Sequence, residues 1–361
     1  MAGIYVHIPF CKSRCKYCDF FSTTLLERRR EYVDAVIREW NAQKGRFSKD
    51  IHTLYIGGGT PSTLDISDLQ RLLTVLPTSQ AAEVTMEANP GDITLETAQA
   101  WKSLGINRLS IGIQSFDNPT LQRIGRRHNA QQAQDAVAAA RQAGFDNISV
   151  DLIYGLPTQD DRDAMEVLKQ DVAAILQLHV EHVSTYCLSY ETGTVMTQML
   201  QRGEITAVDD DTENQMFDYI VSQLTAAGYD HYEVSNFGLP HRHSQHNSNY
   251  WNDTPYLGLG AAAHSYDGEQ RWWNVSNLND YIRQAQTGQW QREIERLTPE
   301  QHRIERIMLS LRTSDGVSTA DVDMANAVLY LQRRDLIEKD NRLVATTQGY
   351  HILNRIIEDL I

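Results

Sequence analysis

Three of the four cysteines in this 361-residue chain, Cys11, Cys15 and Cys18, fall in one stretch, Tyr5-Val6-His7-Ile8-Pro9-Phe10-Cys11-Lys12-Ser13-Arg14-Cys15-Lys16-Tyr17-Cys18-Asp19-Phe20. Their spacing, C-x3-C-x2-C, follows directly on an alternating apolar run, Ile4–Phe10, that predicts a β-strand. A structural zinc site closes with four ligands, and no fourth cysteine or histidine follows at finger-like spacing. A disulfide framework would use an even, dispersed set of cysteines. Three thiolates on a short loop instead suit an iron–sulfur cube held by three corners, with its fourth iron open to a non-protein ligand. Cys187, the remaining cysteine, reads by default as a buried small hydrophobe.

Other residues could do chemistry only if the fold gathers them. Gly57-Gly58-Gly59-Thr60-Pro61 ends a predicted strand, and a third consecutive glycine suggests that backbone approaches a ligand closely. Glu87 and Asp151 are ionisable groups in apolar strand surroundings, where burial without a partner is costly; each could equally be a helix cap or a rim ion pair. Read alone, Arg126 in Gly125-Arg126-Arg127-His128 is a solvated helix-start residue.

The elements that must position these groups alternate. Helices are predicted over Glu27–Lys44, Asp65–Leu76, Thr94–Leu104, Ala130–Ala143 and Asp160–Leu178. Strands are predicted over Ile51–Ile56, Glu83–Glu87, Arg108–Ile113, Ile148–Ile153 and His182–Leu188. Six βα units in succession require parallel strands with right-handed crossovers. The cysteines, the glycine run, Glu87, Gln114, Asp151 and Tyr190 all fall at or just past the C-terminal ends of strands. In a barrel those ends form one rim, so the expected fold is α/β, a partial (β/α)6 barrel of TIM-like type.

That barrel is expected over residues 1–235, ending after a helix at Asp209–Ala227. Residues 236–296 are histidine-rich and helix-poor, and are expected to form a connecting segment. Residues 297–361 read as helices, a hairpin through Leu336–Val344 and a last helix, Gln348–Leu360, an order like that of a winged helix. Acidic residues slightly outnumber basic ones there and no Arg/Lys stripe appears, so partner docking is expected rather than nucleic-acid binding. The formal net charge of −14 agrees, since it argues against a broad phosphate-binding surface. With 41% hydrophobic and 22% charged residues the composition is that of a globular protein. No apolar run is long enough to span a bilayer, and the N-terminus enters the first strand without a signal-peptide core, so the expected location is cytoplasmic. A reducing compartment also suits cluster-ligating thiolates.

The cysteine spacing with an aromatic residue before the last cysteine resembles the signature of the radical S-adenosylmethionine (SAM) superfamily. Ile4–Phe20, Gly57–Pro61, Glu87, Gly112-Ile113-Gln114-Ser115-Phe116, Arg126 and Asp151-Leu152-Ile153-Tyr154-Gly155-Leu156-Pro157 together resemble its oxygen-independent coproporphyrinogen III dehydrogenase family. The resemblance runs over nearly the whole chain. It implies a 4Fe-4S cluster on Cys11, Cys15 and Cys18, with S-adenosylmethionine contacts at Tyr5, Tyr17, Gly58, Gly59, Thr60, Glu87, Gln114, Arg126 and Asp151, Tyr17 lying near the adenine.

Within that family the chain is most similar to the heme chaperone branch. The dehydrogenase carries a further cysteine where this chain has Phe20, and an N-terminal extension where this chain has only Met1-Ala2-Gly3. His246-Asn247-Ser248-Asn249-Tyr250-Trp251 resembles the branch's H-N-x-x-Y-W heme motif, which implies heme contacts at His246, Asn247, Tyr250 and Trp251. An imidazole can ligate heme iron and aromatic rings can cover a porphyrin face; His264 is a second candidate ligand. The expected function is thus transfer of heme to an acceptor protein, with room for peripheral association with membrane proteins. The alternative is radical oxidative decarboxylation of the propionates of coproporphyrinogen III.

Overall fold

A computed structural model describes residues 2–46, 51–158 and 162–361. β1 (Ala2–Ile8), β2 (Ile51–Gly58), β3 (Glu83–Ala88), β4 (Arg108–Gln114), β5 (Ile148–Tyr154) and β6 (His182–Cys187) pair in chain order, every pair parallel. Between them run α1 (Arg29–Gln43), α2 (Ile66–Val75), α3 (Leu95–Ser103), the short α4 (Asn118–Arg123) with α5 (Ala130–Gln142), and α6 (Ala164–Leu178). Parallel neighbours need such crossovers, so the expected α/β partial barrel is the fold that forms. β1 stops at Ile8 rather than Phe10 because Pro9 has no N–H to give the ladder. The expected start of the fifth helix, Asp160, lies outside the described residues; α6 begins at Ala164, where Asp163 accepts a hydrogen bond from Met165 N at 2.8 Å.

The strands are two-faced. Ile4, Val6, Ile8, Leu54, Ile56, Val84, Met86, Leu109 and Ile111 are buried in one core with helix residues such as Val33, Leu72 and Ala136. The alternate positions carry Tyr5 and His7, Thr53 and Tyr55, Glu83, Thr85 and Glu87, Arg108 and Ser110, and Ser149 and Asp151. A period of two puts these on the inner, concave face, which is therefore polar along its length.

After β6 come α7 (Val195–Gln201), α8 (Asp210–Ala226) and a hairpin of β7 (Asp230–Glu233) and β8 (Asn236–Gly238) that pairs antiparallel with β6. α4 and α7 have six and seven residues, too few to show a helical period in the sequence.

Residues 236–296, expected as a connecting segment, instead supply part of the sheet. They hold α9 (Gln245–Trp251), β9 (Tyr256–Leu259), β10 (His264–Tyr266), β11 (Gln270–Asn274), α10 (Leu278–Thr287) and β12 (Arg292–Arg296). β9 runs parallel to β1 on the side away from β2, with Gly3 opposite Tyr256 and Val6 opposite Leu259. β10, β11 and β12 follow antiparallel, so that among the described residues one sheet has the order β12-β11-β10-β9-β1-β2-β3-β4-β5-β6-β8-β7. Strands of three to five residues carry too little alternation to be recognised in advance.

The tail comprises α11 (Pro299–Ser310), β13 (Val317–Ser318), α12 (Met324–Arg333), β14 (Leu336–Lys339), β15 (Arg342–Ala345), α13 (Thr347–Tyr350) and α14 (Leu353–Leu360). It has its own core of Ile307, Leu311, Val317, Leu343 and Ile356, and a three-stranded sheet ordered β13-β15-β14, a winged-helix-like arrangement. A single turn at Thr319–Asp321 precedes α12, which Asp323 caps by accepting from Ala325 N at 2.9 Å. Among the described residues no helix is long and apolar enough to cross a membrane.

Candidate functional site

The chain leaves β1 and folds back on itself. Cys11 N donates to Thr23 O at 2.9 Å and Thr23 N donates to Pro9 O at 2.7 Å, so the intervening loop is closed at its base. Lys16 N donates to Ile124 O at 2.9 Å, and Met196 N donates to Lys16 O at 2.8 Å, which fastens the loop to α4 and α7. Cys11, Cys15 and Cys18 thereby line one cavity of about 440 Å³ at the C-terminal ends of the strands. Thr60 Oγ1 donates to Cys11 Sγ at 3.4 Å and Arg126 donates to Cys15 Sγ at 3.4 Å. Burial raises the Cys11 thiol and pushes Cys18 up to about 11, so a cationic metal group is what would hold them as thiolates.

The donor set fits a cluster better than a single ion. Among the described residues no three His, Cys, Asp or Glu side chains converge as ligands of one ion. A four-iron cube makes no such demand, since each thiolate takes a different corner.

Gly58, Gly59, Thr60, Glu87, Gln114, Arg126, Asp151 and Tyr17 line the same cavity. Two of the glycines are explained by the protein itself. Gly58 has a φ of +109° and a Cβ there would come within 2.6 Å of the His7 ring, while a Cβ on Gly59 would meet the Pro9 backbone at 2.7 Å. Both glycines let β2 pass under the cysteine loop. Their backbone remains open to the cavity.

Glu87 Oε2 accepts from Gly58 N at 3.0 Å and Oε1 from the Tyr55 hydroxyl at 2.9 Å. Burial, and then the neighbouring Asp151, push the Glu87 carboxyl up to about 7. Burial pushes Asp151 up to about 6, opposed by Ser110, which donates to it at 3.2 Å. Gln114 takes the left-handed conformation, φ 73°, at the register shift between β4 and β5. Such strain in a non-glycine residue collects at binding sites. Arg126 donates to the Gly112 carbonyl, and its Nε is buried without a partner. An orphaned guanidinium N–H, two carboxyls and open glycine backbone suit a small ligand that carries an amine, a carboxylate and hydroxyls.

Tyr5 does not line the cavity. Its hydroxyl donates to His7 Nδ1 at 3.0 Å, the only role left to that nitrogen because His7 Nε2 faces the Phe21 carbonyl at 2.9 Å and must carry the proton.

His246 lies at the other end of the sheet. The main-chain N–H groups of Gln245 and His246 both donate to Glu83, each at 3.0 Å, and Glu83 is the first residue of β3. His246 Nδ1 pairs with Thr53 Oγ1 at 2.8 Å and Nε2 with the Tyr250 hydroxyl at 3.0 Å. Thr53 also accepts from Asn249 at 3.0 Å. α9 therefore closes the N-terminal ends of β1, β2 and β3. His246 is 1% exposed, and burial holds its imidazole down at about 3, so it is neutral. Asn247, Tyr250 and Trp251 are half-buried. His264 is exposed on β10 and stacks on Trp273 with ring centroids 5.4 Å apart. The fold brings neither histidine to the cysteine cavity.

Arg14, Ser110, Arg127 and Tyr186 also line the cavity, as does Cys187 at its rim, and Tyr55 lies below it. None but Cys187 stood out as a single residue. For Ser110, Tyr186 and Tyr55 the available signal was collective: polar residues at every second position of successive apolar strands.

Residues 5–170 match the profile of the Radical SAM superfamily. The chain is 35% identical over 373 residues to the heme chaperone HemW of Lactococcus lactis subsp. lactis, with 99% of this chain and 96% of that protein covered. It is 36% identical over 326 residues to the heme chaperone HemW of Bacillus subtilis, with 88% and 85% covered. Coproporphyrinogen III oxidase (HemN) from Escherichia coli superposes with a TM-score of 0.83 over 99% of this chain and 89% of its own, at 21% identity, a likeness of fold.

Proposed function

This chain belongs to the heme chaperone HemW family of the radical SAM superfamily, and on that premise we propose that the two ends of its sheet divide the work of a heme carrier. The protein binds a 4Fe-4S cluster, S-adenosylmethionine and heme, and passes heme to an acceptor protein. When bound, the cluster with its S-adenosylmethionine supplies one-electron chemistry, which the barrel shields from water. Cys11, Cys15 and Cys18 hold the cluster. Gly58, Gly59, Thr60, Glu87, Gln114, Arg126, Asp151 and Tyr17, which line the cavity, would hold S-adenosylmethionine, and Tyr5 would act on this set through His7. The observation that carries this reading is the convergence of three thiols on an open cavity whose wall holds a buried, unpartnered Arg126 Nε.

Heme is held at α9, where the Tyr250 and Trp251 rings and Asn247 are half-buried. His246 would be the iron ligand, and its Nε2 would first have to give up the Tyr250 hydroxyl, 3.0 Å away. Residues 297–361 dock the acceptor, and the protein works in the cytoplasm, associating with membrane proteins only at their periphery.

The test is an anaerobic one on reconstituted protein, with heme titration and coproporphyrinogen III turnover read on the same preparation. Stoichiometric heme binding without turnover is expected. Turnover with only weak heme binding would overturn the reading and make the protein a decarboxylating enzyme.

A further inference from the structure

Tyr55 lies midway along β2, buried on the inner face between the two ends of the sheet. Toward the cysteine end its hydroxyl donates to Glu87 at 2.9 Å, and the same carboxylate holds Gly58 N at 3.0 Å. Toward the α9 end its ring stacks on His246, centroids 5.1 Å apart and planes 25° from parallel. Tyr5 covers it from β1 at 6.2 Å. The fit is tight: a Cβ on Gly57 would come within 2.8 Å of both Glu87 Oε1 and Tyr55 Cε1. One buried ring thus touches a histidine at one end and orients a carboxylate at the other. In an interior packed to this density it cannot turn without disturbing both neighbours.

We propose that His246 and Tyr55 are positioning residues that couple the α9 end of the barrel to the cysteine end, so that a change of partner at His246 alters the affinity for S-adenosylmethionine. The inference rests on the assignment of Glu87 and Gly58 to S-adenosylmethionine. If His246 leaves its hydrogen bonds to ligate heme, its ring shifts against Tyr55, and the hydroxyl that orients Glu87 shifts with it. Coupling of this kind is reciprocal: S-adenosylmethionine changes heme affinity by the factor that heme changes affinity for S-adenosylmethionine.

The experiment is equilibrium binding of S-adenosylmethionine to cluster-loaded protein, with iron content and thermal unfolding recorded for every variant. His246→Ala and Tyr55→Phe are each expected to weaken binding about three- to ten-fold, the range that a buried ring contact or hydrogen bond supplies. In the double variant the His246→Ala effect should vanish, because its route through the Tyr55 hydroxyl is already cut. His246→Phe, which keeps a ring on Tyr55 and loses both hydrogen bonds, should restore most of the affinity. Unchanged affinity in His246→Ala, or effects that multiply in the double variant, would overturn the coupling. Should His246→Ala fail to fold, Tyr55→Phe decides, and wild-type affinity there overturns it as well. Glu87→Ala separates the underlying assignment: if it too binds normally, Glu87 is no S-adenosylmethionine contact and the coupling falls with that assignment.

Discussion

The inner face of the sheet carries the same kinds of side chain from end to end, yet its two ends are built to opposite specifications. At the cysteine end Glu87, Asp151 and Arg126 surround an open cavity, with both carboxyls raised and one guanidinium nitrogen unpaired. At the α9 end Glu83, Thr53 and His246 are buried and hydrogen-bonded to one another or to main chain. A buried polar group without a partner is costly, and at Arg126 that cost falls where a ligand can repay it. The open cavity, more than residue type, separates the binding end from the closed end, since Arg108 Nε at the start of β4 is also buried without a partner.

The sharpest way to break this contrast is to replace Cys11, Cys15 and Cys18 together by Ala. Loss of essentially all bound iron and of the visible cluster absorbance is expected, with the fold retained. Iron remaining in the triple variant would mean that the cluster is held elsewhere.

A smaller but still large effect is expected at the closed end. His246→Ala removes a fully buried ring and two hydrogen bonds, worth about 2–4 kcal/mol of stability by urea unfolding. The same variant should load iron normally, and its heme affinity should fall. Normal heme binding would shift the ligand to His264. Glu83→Gln leaves one of two main-chain N–H groups of α9 without its acceptor, at a cost of about 1–3 kcal/mol. A loss well below that would show that α9 does not close this end as tightly as its hydrogen bonds imply.

A pH series sharpens the comparison from the open end. The Glu87 carboxyl stands at about 7 against an ordinary 4.5, so the folded protein keeps a proton that the unfolded chain releases. Stability contributed by this group is fully present below about 4.5 and is lost as pH rises through about 7. Glu87→Gln has no such titration. The wild type should therefore lose ground to it between those pH values in cluster-free protein, and parallel curves would contradict the raised carboxyl. The smallest effect is expected on the outer rim, where Lys12 pairs with Asp92 at 2.7 Å but is 46% exposed in its side chain. Lys12→Ala should cost no more than about 1 kcal/mol by the same unfolding measurement.

Much of the cysteine end was legible in the chain. The three cysteines, the glycine run and Glu87, Gln114 and Asp151 share one cavity wall because each sits on or just after a parallel strand, and strand ends on one rim follow from βα alternation alone, whereas Arg126, which follows α4, was reached only through the family resemblance. Tyr55 was not legible, because a tyrosine within a β-rich run reads as core. The polar period of the inner face becomes visible only when the strands are laid side by side.

By itself the sequence determined the alternation of elements, the cysteine loop and the family to which the chain belongs, since these depend on spacing and order along the backbone. Tertiary structure decided where His246 would lie. β9 pairs parallel with β1, Gly3 opposite Tyr256, so the chain just before Tyr256 must sit at the start of β1 rather than at its end. Strand direction and register are settled by pairing between segments some 250 residues apart, and no local pattern encodes which end of the sheet a returning segment will meet.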